Sequence, residues 1–263
     1  MLPLAAEKIP ATPAELASAL AAGFAARGVQ VKSVRAAGAG LAEIAELHVD
    51  LTGARGTRDF RVSTAPAAEP AAVRVARFVV TGEPVEFEAT PLRLNLEAED
   101  VECGFSGVPG DGALVLASAA GGSLVLAIAH ETLEALLHRL AKGVAEKQGV
   151  EVRQTKLTLT ARGPRALSFC CTVTAKVFVM TAELALRGEL EVDEQLQARL
   201  SGLTLGGDAM ITKMATGFAR PYLDKLEGRT IPLLAFGLGG MRLRDVELAT
   251  ADGLEVRAKF GRG

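Results

Sequence analysis

Apolar residues recur every three to four positions in three stretches of this chain and every second position almost everywhere else. The first period predicts helices and the second predicts strands. The first helix opens at "TPAE". Thr12 stands at N-cap, Pro13 at N1 and Glu15 at N3, the pattern of a capping box. Leu16, Leu20 and Phe24 then share one face, and Gly28 stops the helix. The second helix spans about 130 to 147, "HETLEALLHRLAKGVAEKQ". Its stripe is Leu133, Leu136, Leu137, Leu140 and Val144, and Gly149 ends it. The third spans about 207 to 227, with Asp208 as cap and Ile211, Met214, Phe218 and Tyr222 on one face. Pro221 is expected to kink it, because proline lacks an amide and clashes with the preceding turn.

Strands are expected at 29–34, 45–53, 72–80, 85–90 and 92–99, then in "ALVLAS" and "SLVLAIA". The "AAGG" between the last two reads as a hairpin turn. Long strands follow the second helix: "VEVRQTKLTLTAR", "ALSFCCTVTAKVFVM", "ELALRGELEV" and "QARLSGLTL". In "ELALRGELEV", Leu184, Leu186, Leu190 and Val192 face one way, and Glu183, Arg187, Glu189 and Glu191 the other. One wet and one apolar face predict antiparallel pairing. At the end, Met241 and Leu243 share a face, as do Val246 and Leu248, with a slip at Arg244-Asp245 that predicts a bulge. "TADG" is a turn, after which Leu254, Val256 and Ala258 resume the apolar face.

Helix, glycine and "V-x-V-basic" occur twice, at "LASALAAGFAARGVQVKSV" and "LEALLHRLAKGVAEKQGVEVRQT". Leu16, Leu20 and Phe24 fall on Leu136, Leu140 and Val144. The chain thus reads as two related helix-then-sheet halves, 1–128 and 129–263, or as one continuous domain. The fold class is α+β, with strongly curved antiparallel sheet wrapped around long amphipathic helices. A tight wrap makes a solid core. A loose one leaves an elongated apolar cavity.

Composition narrows the partners. Net charge is −2 and aromatics are 4%, with one Tyr and no Trp. Neither a basic stripe nor aromatic platforms for nucleic acid are present. Apolar runs are broken short of about 18 to 20 residues, so no membrane-spanning helix is predicted. "MLPLAAEKIPATPAEL" lacks a basic n-region followed by an apolar h-region, which points to the cytoplasm unless a leader was removed. Cys103, Cys170 and Cys171 have no CxxC spacing. Adjacent Cys170 and Cys171 point to opposite faces of a strand, so a disulfide framework is not expected.

Signs of catalysis are missing. "HE" at His130 matches only the start of a zinc-protease helix motif, since residue 134 is Glu and His138 comes eight positions on. No metal or cofactor is expected. His48 is read as an exposed strand histidine, opposite Leu47 and Val49. No nucleophile elbow, phosphate loop or dinucleotide loop occurs. "FGLGG" at 236–240 opens no helix and reads as a turn. Glu86 and Glu88 alternate with Val85 and Phe87 and read as a wet face.

The order of features from about 130 onward resembles the LmeA-like phospholipid-binding family of bacterial proteins, related in style to tubular lipid-binding proteins. The resemblance is carried by "ETLEALLHRLAKG", "VEVRQTKLTLTA", "LRGELEVD", the proline-bearing "FARPYLDKL", an "IPL" step, a glycine loop and "MRLRDVELATADGLEV". It implies non-enzymatic binding or transfer of a lipid or fatty-acid-like ligand. The expected lining is Leu137, Leu140, Phe169, Val173, Val177, Leu184, Leu186, Ile211, Met214 and Phe218. Leu233, Leu234 and Phe236, in the apolar loop 231–238, are the expected rim or peripheral membrane contact. The alternative is a structural or interaction module with a filled core and no ligand.

Overall fold

The computed structural model describes residues 1–6, 8–56, 73–108, 111–146, 149–177, 180–207, 220, 223–235 and 242–262. Strand predominates over helix among them. In chain order the elements are β1 (Leu2–Leu4), α1 (Pro13–Ala26), β2 (Ser33–Gly38), β3 (Glu43–Asp50), β4 (Arg55–Gly56) and β5 (Val73–Phe87). Next come β6 (Thr90–Val108), β7 (Asp111–Ser118), β8 (Gly121–Ala129), α2 (His130–Ala145), β9 (Glu151–Gly163) and β10 (Ala166–Val177). β11 (Met180–Val192), β12 (Gln197–Gly207), β13 (Thr230–Pro232), β14 (Arg242–Ala249) and β15 (Gly253–Gly261) complete the set. The chain divides into two compact units. One comprises Met1–Ala127, Leu234–Asp245 and Arg257–Gly263, and the other Ile128–Leu233 and Val246–Val256.

In the first unit α1 forms as its sequence requires. The Glu15 amide donates to Thr12 Oγ1 at 3.2 Å. The Glu15 carboxylate reaches back to the Ala11 amide at 2.8 Å, one residue before the N-cap. Leu16 and Leu20 are fully buried and Phe24 nearly so. They enter a core with Ile44, Leu47, Val49, Val73, Val75, Val101 and Leu114.

The larger sheet runs in the order β14-β15-β8-β6-β5-β3-β2, with β7 also on β6, β1 on β7 and β4 on β5. It is mixed rather than wholly antiparallel as expected, because β5 runs parallel to β3 and β4. The stretch between Asp50 and Val73 is long enough for the crossover that parallel pairing demands.

Three stretches differ from the pattern expected of them. Residues 29–32 are not strand; β2 begins at Ser33. The expected strand 85–90 contains a turn: Glu88 and Ala89 take φ of 49° and 59° and link β5 to β6. Such turns usually carry Asn or Gly, so "EA" gave no signal. "AAGG" is not a hairpin. β7 pairs with residues 102–108 of β6, and β8 pairs with residues 93–99 of the same strand, both antiparallel. The chain therefore keeps its direction through Ala119-Ala120. Gly121 and Gly122 lack the positive φ that a tight hairpin needs. Gly122 instead makes room for the Phe260 ring, which a Cβ there would strike.

The second unit holds a five-stranded, fully antiparallel sheet in the order β13-β12-β11-β10-β9. Its β11 shows the expected alternation: Val192 is buried, Leu184, Leu186 and Leu190 are half-buried, and Glu183, Arg187, Glu189 and Glu191 are exposed. α2 packs on the edge strand β9. The third expected helix, about 207 to 227, lies largely outside the described residues, though Arg220 and residues 223–226 are helical. Pro221, Tyr222 and "FGLGG" also lie outside them.

Candidate functional site

The five-stranded sheet has two unlike faces. Cross-strand register puts Leu159, Phe169 and Gly188 in one row, and Leu157, Cys171, Leu186 and Leu205 in the next. Thr155, Val173 and Leu184 form a third row, and Leu167, Leu190 and Leu200 a fourth. Four of the expected lining residues, Phe169, Val173, Leu184 and Leu186, thus share one face on adjacent strands. Val177 ends β10 opposite Met180 in the register. Phe169, Val173, Leu184, Leu186, Leu190, Leu200, Leu203 and Leu205 are only half-buried. Interior strands with one apolar face normally seal that face against another layer. Leu157, Leu167 and Cys171 on the same face are buried, and a larger continuous buried core lies in the first unit.

α2 carries Leu137, half-buried, and Leu140, which is 59% exposed. Val144 is equally exposed. A polar row, His130, Glu134 and His138, helps to fix this helix. Glu134 Oε1 accepts the Leu157 amide at 2.7 Å, capping an edge-strand donor. His138 Nδ1 lies 3.2 Å from Thr155 Oγ1, and His130 Nε2 lies 3.4 Å from Glu134. Successive members sit four residues apart, so at about 100° per residue they share a face, roughly 90° from the apolar stripe. Among the described residues no group of three or more His, Cys, Asp or Glu is placed to hold a metal ion. His48 also differs from expectation. It is half-buried, and its Nε2 is 2.9 Å from Thr81 Oγ1.

Leu233 is half-buried in a short 3-10 turn, and its amide donates to the Leu196 carbonyl at 2.9 Å. Leu234 is 56% exposed and Ile231 42%. Ile211, Met214, Phe218 and Phe236 lie outside the described residues.

The opposite face of the sheet is polar. Two open hollows of about 430 and 440 Å³ lie there and share Cys170 and Arg187. Their other lining includes Thr158, Thr160, Ser168, Thr172, Glu183 and Glu189. All three cysteines are free. Burial pushes the Cys103 thiol up to about 12, with the amino terminus pulling weakly the other way. Burial also raises Cys171, helped by Cys170 and Glu134. Raised values keep both thiols protonated and unreactive.

One feature of the site was missed from sequence. β12 carries a bulge at Gly202-Leu203, where the register with β11 shifts between Arg187 and Glu189. Its signal was present: Leu200 and Leu203 are three apart, whereas Leu203 and Leu205 are two apart.

Comparison with known protein families, with curated proteins and with solved structures finds no match to this chain. The resemblance to LmeA-like proteins rests on its order of sequence features alone.

Proposed function

We propose that the chain binds or transfers a lipid or similar amphipathic molecule, without catalysis, on the apolar face of its five-stranded sheet. The observation that carries the reading is the half-open state of that face. Eight large apolar side chains on β10, β11 and β12 stay partly exposed, and the α2 stripe beside β9 ends in exposed Leu140 and Val144. An aliphatic chain laid on this face would gain about 0.8 kcal/mol per CH₂ buried. In this reading the sheet curves around the helix at 133–144 and encloses an elongated cavity. Rows of Leu, Val and Phe with few polar groups suit an acyl chain, which asks for burial rather than hydrogen bonds.

The test is titration of the purified chain with a fluorescent fatty-acid probe. Saturable uptake is expected, lost in Leu184→Glu plus Leu186→Glu and retained in the polar-face control Thr172→Glu. Equal binding by all three proteins would sink the reading.

Exposed Ile231 at the end strand β13 and Leu234 in the turn after it favour a second reading, contact of this apolar segment with a membrane or partner. Liposome binding that needs no internal ligand, and that disappears with Leu233→Asp plus Leu234→Asp, would select it.

A further inference from the structure

We infer that Glu227 is a positioning residue for the apolar face, acting through the bulge in β12. The inference deepens the lipid-binding reading and rests on it. The Glu227 carboxylate accepts two successive backbone amides, Gly202 at 3.0 Å and Leu203 at 2.8 Å. Gly202 takes φ +64°, the conformation that turns successive amides toward one anion. The neighbouring backbone is pinned as well, with Gly228 donating to the Leu200 carbonyl at 2.8 Å and Leu200 to the Arg229 carbonyl at 3.4 Å.

The bulge decides which way Leu203 and Leu205 point. Glu189 pairs with Ser201, whereas Arg187 pairs with Thr204. Without the extra residue, Leu203 would fall opposite Arg187 on the polar face, because one residue of slip reverses every side chain. With it, Leu205 faces Leu186. Leu203 lies beside Phe169 over Gly188, and a Cβ on Gly188 would come within 2.7 Å of Leu203 and 2.6 Å of Phe169. Glu227, the bulge, Leu203 and Phe169 therefore form one chain of contacts leading to the centre of the face. The ligand class this geometry serves is a long aliphatic chain, because it extends the apolar rows of Phe169 on β10 and Leu186 on β11 onto Leu203 and Leu205 of β12.

The experiment combines residue-resolved amide hydrogen exchange with binding of a sixteen-carbon fluorescent fatty acid to the full chain. In Glu227→Ala, exchange at Gly202 and Leu203 should accelerate about tenfold or more, since two charge-assisted bonds are lost. Probe affinity should fall about fivefold, and Glu227→Gln should lie between. Leu203→Ala added to Glu227→Ala should cost little more, because Glu227 acts through Leu203. Unchanged exchange in Glu227→Ala overturns the latch. Faster exchange with unchanged affinity, or fully additive losses, overturns its link to the face. A wild-type chain that takes up no probe overturns the binding reading and the ligand half of this inference, while exchange still decides the latch.

Discussion

Leu20 and Leu140 occupy matching places in the two helix-then-strand stretches, yet the structure gives them opposite surroundings. Leu20 is fully buried in the core under α1, and Leu140 is 59% exposed on α2. Truncating Leu20 to alanine removes buried methyl groups and leaves a cavity, so it should cost about 3–5 kcal/mol. Full burial of a leucine is worth roughly 1.5–3 kcal/mol, and only about two-fifths of Leu140 is covered. Leu140→Ala should therefore cost about 0.6–1.2 kcal/mol, with no cavity term, since solvent already reaches the site. Two compact units make a single melting midpoint ambiguous, so the assay is native-state hydrogen exchange read on strand amides in each unit. Leu20→Ala should lower protection in β3 and β5 strongly. Leu140→Ala should barely change β9, yet it should weaken fatty-acid uptake. Equal destabilisation by the two substitutions would refute the reasoning, because it would mean that the α2 stripe is as sealed as that of α1.

Other outcomes follow from single contacts. Glu88→Asn with Ala89→Gly should stabilise the protein by about 1 kcal/mol in urea unfolding, because both residues hold positive φ in a two-residue turn. Cys103 has a folded value of about 12 against an ordinary 9.0, so unfolding releases its proton once pH exceeds 9. Its contribution to stability is complete below pH 9 and is lost as pH rises through 12; Cys103→Val should flatten that decline in pH-dependent unfolding. At pH 8, half-buried Cys170 should alkylate well before buried Cys103 and Cys171, as peptide mass spectrometry would report. Glu134→Ala should speed exchange of the Leu157 amide, since its acceptor is removed.

Local signals carried far along this chain. The Thr12 cap, the Leu16, Leu20 and Phe24 stripe and the alternation of β11 follow from residues close in sequence, and each appears in the structure. What was not legible depends on distant partners. The collinear β7 and β8 need the 19-residue β6 as a template, and "AAGG" alone reads as a turn. Parallel pairing of β3 with β5 leaves no mark in alternation, since period two is the same for both directions. The shared face of Phe169, Val173, Leu184 and Leu186 on β10 and β11 was legible because a half-buried sheet alternates. The bulge at Gly202-Leu203 could have been read from leucine spacing, but its lock, Glu227, lies 25 residues from Gly202 and is set by the fold.

Lipid occupancy of the apolar face is read by native mass spectrometry of the purified chain, followed by solvent extraction. A near-stoichiometric adduct with the mass of a lipid or fatty acid is expected, lost on extraction and restored by adding fatty acid. A protein that flies only at its bare mass, and stays there after incubation with fatty acid, would contradict it.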